Sequence, residues 1–234
     1  MSFNAAEPSL DALIRNPNQR TPCVLVLDAS GSMDSQSGSG RSRIEELNRG
    51  LQALETELKS DPVAKTRVQV AIVCVGGPAG DADVMLDWTD AMDFQAFPLV
   101  AGGQTFLGKG MQLALQLIEQ QKQAYRSAGV GYTRPWIMVI TDGEPSDDHE
   151  WDQATKACRA AESSGKCVIY PIGVSGANVA KLQMVSATQA LILDQVRFVE
   201  LFKWLSKSVT AITNSTPGQS VQLPSTDAWV AVKA

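Results

Sequence analysis

The stretch at 21–33, TPCVLVLDASGSM, constrains this chain more than any other. Pro22, Cys23, Val24, Leu25, Val26 and Leu27 run without a polar break into Asp28, and Ser30 and Ser32 follow around Gly31. An unbroken apolar run, bounded by Pro on one side and Gly/Ser on the other, is the pattern of a strand buried on both faces of a parallel sheet. Such a strand carries Asp28 to its carboxyl end, the edge at which open α/β sheets bind ligands. One carboxylate and two hydroxyls meeting there form an oxygen-only donor set. That set suits a hard divalent cation such as Mg2+, which keeps several of its waters.

Two later stretches complete the set. Gly102-Gly103-Gln104-Thr105 brings a third hydroxyl to the start of a helical pattern, and 137–140 is a second apolar run that ends in Thr141-Asp142-Gly143. The order D-x-S-x-S, then Thr, then a strand followed by D-G, resembles the von Willebrand factor A domain and its metal-ion-dependent adhesion site, over roughly 23–212. The resemblance implies that Asp28, Ser30, Ser32, Thr105 and Asp142 hold a metal. Mg2+ is the expected ion, with Mn2+ or Ca2+ as substitutes. Thr105 is then the switching hydroxyl, direct or through water, and Asp142 a water-mediated carboxylate. The resemblance further implies that an Asp or Glu of a partner protein completes the shell. The wording TDGEPSDD at 141–148 and GGQTFLG at 102–108 is similar to that of bacterial TerY-like proteins of the tellurium-resistance group. This implies an adaptor or scaffold in bacterial stress response, with a kinase or phosphatase among its partners. Read as plain turn chemistry, Asp28 and Ser30 would only cap a helix or form an Asx turn, which leaves Thr105 and Asp142 unexplained.

The competing class is a Mg2+-dependent phosphotransfer enzyme or phosphatase built on the same carboxylates. A nucleophilic Asp of that kind is expected to have a second Asp two residues on as general acid, where this chain has Ser30, a poor proton donor near neutral pH. No Lys or Arg adjoins Asp28 or Asp142 in sequence, and neither a P-loop nor a G-x-G-x-x-G turn follows the first strand. The reading favoured here is a non-enzymatic interaction module.

Composition narrows the setting. A chain of 234 residues with 44% hydrophobic and 19% charged residues buries a sizeable core. A formal net charge of −5 speaks against nucleic acid or an anionic membrane as partner. The four cysteines form no C-x-x-C pair, and Cys23, Cys74 and Cys167 lie in apolar runs. They read as buried free thiols in a reducing compartment, with a Cys158–Cys167 disulfide as the lesser alternative. The first twenty residues lack the basic start and apolar stretch of a secretory signal, and no run reaches the ~18 apolar residues of a membrane span. The expected location is cytoplasmic.

The expected organisation is an arm at 1–20, one domain at 21–213 and a tail at 214–234. The fold class is α/β: a doubly wound, Rossmann-like, mostly parallel six-stranded sheet with one antiparallel edge strand and helices on both faces. Strands are expected at 23–28, 67–75, 84–88, 135–140, 167–172 and 191–193, in the family's spatial order 3-2-1-4-5-6. Apolar spacings of three and four predict helices at 42–60, 105–126, 149–164, 178–186 and 198–212. A short helix at 6–14 is a further expectation. Thr105 is expected to cap the second helix and Asp147 or Asp148 the third. The Ser/Gly-rich loop 34–42 reads as flexible, and Trp229-Val230 as an anchor for the tail.

Overall fold

The computed structural model describes Leu13, Asn16 and residues 18–174, 176–193, 197–215 and 220–230. At its centre lies β1 (Thr21–Ala29), buried along its whole length. Cys23, Leu25 and Leu27 belong to one hydrophobic core and Val24 and Val26 to a second. The period-two alternation of a strand sends successive side chains to opposite faces. With a core on each face, every position is apolar, which is why no polar residue interrupts the run.

β1 pairs in parallel with β2 (Val68–Gly76) on one side. An edge strand, β3 (Asp81–Asp90), runs antiparallel to β2. On the other side β1 pairs with β4 (Trp136–Thr141), followed by β5 (Val168–Gly173) and the two-residue β6 (Leu191–Ile192), all parallel. The order is β3-β2-β1-β4-β5-β6, as expected. β3 is twice as long as its sequence indicated. It is only half buried and carries Asp81, Asp83, Asp87 and Asp90, so its apolar signal is short.

α1 (Arg43–Ser60) starts in a capping box: the Glu45 N–H donates to Ser42 Oγ and the Ser42 N–H to the Glu45 carboxylate. Leu47, Leu51, Leu54 and Leu58 bury its inner face. A single turn, α2 (Ala64–Arg67), precedes β2 and was not anticipated; the Asp61 carboxylate accepts the N–H groups of Val63 and Ala64 there. α3 (Leu107–Ser127) and α4 (Asp148–Ser163) cover the Val24/Val26 face. α5 (Val179–Gln183) is short, and α6 (Phe198–Thr213) packs beside α1 on the Leu25/Leu27 face. Helices thus cover both faces, the arrangement that leaves a crevice at the carboxyl ends where β1 and β4 diverge to opposite sides.

Described residues flanking the domain join this body. Trp229 is fully buried, its ring 5.3 Å from that of Trp204, and Val230 bridges Leu193. Trp204 Nε1 donates to the Pro224 carbonyl at 2.9 Å. The tail therefore wraps the domain over 220–230. The helix expected at 6–14 lies outside the described residues except for Leu13, which is buried with Tyr125 and Val130. Arg20, assigned to the arm, is buried, with Nη1 3.2 Å from the Asp90 carboxylate. The loop at 34–42 is held by its own hydrogen bonds: Ser37 N–H to the Arg41 carbonyl at 2.7 Å and Ser39 Oγ to Glu46 at 2.6 Å.

Candidate metal centre

Asp28 stands at the carboxyl end of β1, level with Val75 of β2, and is fully buried. Its Oδ1 accepts the Ser30 N–H at 2.7 Å, and its Oδ2 accepts the Thr141 hydroxyl from the end of β4. Burial pushes the Asp28 carboxyl above its ordinary range, against the hydrogen bonds from Ser30 and Thr141 that favour the carboxylate. A desolvated carboxylate of this kind gains from any cation brought close to it.

The other donors surround the same space. Ser30 Oγ and Ser32 Oγ are 3.0 Å apart, and Ser32 Oγ donates to Asp142 Oδ1 at 2.6 Å. A methyl group on Gly143 would stand 3.2 Å from Thr105 Oγ1 and 3.9 Å from both Asp28 Oδ2 and Ser32 Oγ. The absence of a side chain at Gly143 therefore leaves open a space faced by three oxygens from two separate segments, the Asp28–Ser32 stretch and Thr105. Oxygen-only donors around such a space fit a hard divalent ion. Among the described residues no group of three His, Cys, Asp or Glu gathers to hold a metal. This site instead combines two carboxylates with three hydroxyls. Asp28, Ser30, Thr105 and Asp142 are buried, whereas Ser32 is exposed beside exposed Gly31, Gly103 and Gln104. The space opens to solvent at Ser32.

Gly102 and Gly103 pack against the turn after β2, where the Gly77 N–H donates to the Gly102 carbonyl at 2.7 Å and a methyl on Gly103 would meet Gly80 Cα at 2.7 Å. The Gly103 carbonyl accepts the Gly31 N–H at 3.1 Å, so this turn holds the serine loop in place. Thr105 does not cap α3: Phe106 is the N-cap residue and no side chain of its own caps that end. Nor does the Asp147 side chain cap α4. Asp147 crosses to α3, accepting the N–H groups of Gly108 at 3.0 Å and Lys109 at 2.8 Å. The reach is short because the helix starts nearly touch; a methyl on Gly108 would lie 2.3 Å from Trp151 N. Asp147 supplies the missing α3 cap, which frees the Thr105 hydroxyl for the site. His149 is exposed and bonded to Gln153.

Sequence reading missed Arg43. The first residue of α1, it puts Nη1 on Asp142 Oδ2, and the Asp142 side chain is wholly buried in this pair. Arg43 and Asp142 are 99 positions apart, a separation at which no local motif signals the contact. Thr141 was equally hidden as a donor to Asp28, since a threonine ending a strand reads as β propensity.

Comparison with known proteins agrees with this architecture. The family model described as von Willebrand factor type A domain matches residues 23–208. No curated protein matches this chain. The open conformation of the pilus adhesin SpaC from Lactobacillus rhamnosus GG is similar at 14% identity and TM-score 0.64, over 82% of this chain and 30% of that one. The chain thus spans under a third of that adhesin's length. The vWF domain of the type V pili tip protein Mfa5 from Porphyromonas gingivalis gives TM-score 0.62 at 11% identity, over 86% and 99% of the two chains. Proximal thread matrix protein 1 from the mussel byssus, solved with a zinc-occupied MIDAS motif, gives TM-score 0.50 at 13% identity, over 82% and 48%. At these identities the likeness is one of fold. With the family model matching more than half of its length, the chain belongs to the von Willebrand factor type A domain family.

Proposed function

We propose that this chain is a non-enzymatic, Mg2+-dependent protein-interaction module. Asp28, Ser30, Ser32, Thr105 and Asp142 hold the ion, with Mn2+ or Ca2+ as substitutes. The observation that carries this reading is the space beside Gly143, faced by oxygens of Asp28, Ser32 and Thr105. When bound, the metal supplies a coordination position open to an external oxygen ligand. The protein's own residues do the rest: the buried carboxylates fix the charge, the hydroxyls fill the shell, and exposed Ser32 marks the side from which a partner's Asp or Glu reaches it. Family membership supports interaction as the general role, and a mussel relative is described with metal in its MIDAS motif.

The narrower assignment is a bacterial stress-response adaptor of the TerY-like kind with a kinase or phosphatase partner, and it rests on the wording at 102–108 and 141–148. A cytoplasmic location is supported by four buried free thiols. Among the described residues no helix is long and apolar enough to cross a membrane. The phosphotransfer alternative gains a cation, Arg43 at Asp142, but still has Ser30 where a general acid is needed.

Capture from host lysate tests the proposal, with the full chain in Mg2+, in EDTA, and as Asp28→Ala. A partner retained only by wild type in Mg2+ is expected. Partners indifferent to EDTA and to Asp28→Ala would place the binding surface elsewhere, and Mg2+-dependent phosphatase turnover lost in Asp28→Asn would establish the enzyme reading.

A further inference from the structure

Asp142 has both carboxylate oxygens engaged. Oδ1 accepts from Ser32 at 2.6 Å, and Oδ2 is held by Arg43 Nη1. The Asp142 side chain is wholly buried, whereas that of Arg43 is 21% exposed. Arg43 reaches in from the first turn of α1, whose start is fixed independently by the Ser42/Glu45 capping box. We propose that Arg43 is a resident counter-cation of the site that competes with the divalent ion for Asp142 and so sets the affinity for metal. The inference rests on the metal reading above.

The sign follows from charge and from attachment. Asp28 and Asp142 bring two negative charges to the space, and Arg43 cancels one. A divalent ion meets a weaker field with Arg43 present than without it. The opposite role, in which Arg43 orients Asp142 for the metal, predicts the reverse sign. Ser32 already orients Asp142 through the other oxygen, and burial limits its freedom. What Arg43 adds is charge, placed on the oxygen that Ser32 leaves open. Arginine suits this post: its guanidinium is planar, stays ionised and is less strongly hydrated than an ammonium group, so it pairs well in a desolvated place.

The test is Mg2+ titration by calorimetry on the full chain as wild type, Arg43→Gln and Arg43→Lys, with thermal melts in EDTA and in excess Mg2+. Arg43→Gln is expected to bind Mg2+ about tenfold more tightly. Arg43→Lys, which lacks the fork, is expected between Gln and wild type. In EDTA Arg43→Gln is expected to melt below wild type, because Asp142 has lost its partner, and to gain more from added Mg2+. Mg2+ binding that is unchanged or weaker in Arg43→Gln would overturn the proposal and make Arg43 a positioning residue. If Arg43→Gln does not fold, Arg43→Met, which also removes the charge, takes its place, and Mg2+ binding no tighter than wild type overturns the proposal equally. Absence of Mg2+ binding in all three chains would remove the metal reading itself. Binding in wild type with no gain in the variants removes only the role given to Arg43.

Discussion

Gly143→Ala alters the proposed centre without removing a single donor. The added methyl group stands 3.2 Å from Thr105 Oγ1 and 3.9 Å from Asp28 Oδ2 and Ser32 Oγ. The last two distances are ordinary contacts. The first is tight and is relieved by a few tenths of an ångström in the Thr105 side chain, at a cost of about 1 kcal/mol or less. The backbone of Gly143 has no left-handed conformation, so alanine also stiffens the unfolded chain, a gain of about 0.4–1 kcal/mol. Stability should thus change by less than about 1 kcal/mol, read by urea denaturation. Metal binding should not survive so well. Mg2+ bonds its oxygens at about 2.0–2.1 Å and tolerates little distortion, and the methyl group takes up room faced by three of the five donors. Calorimetry should show Mg2+ affinity lowered by about tenfold or more, the cost of one displaced oxygen ligand at ~1.4 kcal/mol per decade. A folded Gly143→Ala chain that binds Mg2+ like wild type would refute the claim that this space is where the ion sits.

Asp147→Ala should cost about 1–2 kcal/mol, because it strips the start of α3 of its acceptor, whereas Thr105→Ala should cost less than about 0.5 kcal/mol while weakening Mg2+ binding. Equal costs in urea denaturation would show that the cap had been assigned to the wrong residue. Burial pushes the Cys74 thiol up to about 11 and those of Cys23 and Cys167 up to about 12, and raises that of Cys158 as well. At pH 8 these groups are thiols, not the reactive thiolates. An aromatic disulfide reagent should therefore find no fast thiol in the native protein and four in guanidinium, and a rapid native reaction would contradict their burial.

What the sequence made legible follows the strength of periodic signals. Apolar runs with a core on both faces mark β1, β2 and β4 without ambiguity, and leucines at helical spacing mark α1. β3 was read short because an acidic edge strand carries half a pattern. The proposed donors were legible as candidates because each sits at the end of an element with its own signal. Their supports were not. Arg43 meets Asp142, Asp147 crosses to α3 and Thr141 meets Asp28 only after the sheet has brought distant segments together. Thr105 was misread for the same reason. A threonine before a helix has a local role available, and only the structure shows that Asp147 has already taken it.

Binding of a divalent ion by Asp28 and its neighbours is read most directly by calorimetric titration of the full chain with Mg2+, as wild type and as Asp28→Ala, with circular dichroism confirming that both are folded. One saturable site is expected in wild type and none in the variant. Equal binding by a folded Asp28→Ala chain, or no binding by wild type, would show that the ion does not sit at Asp28.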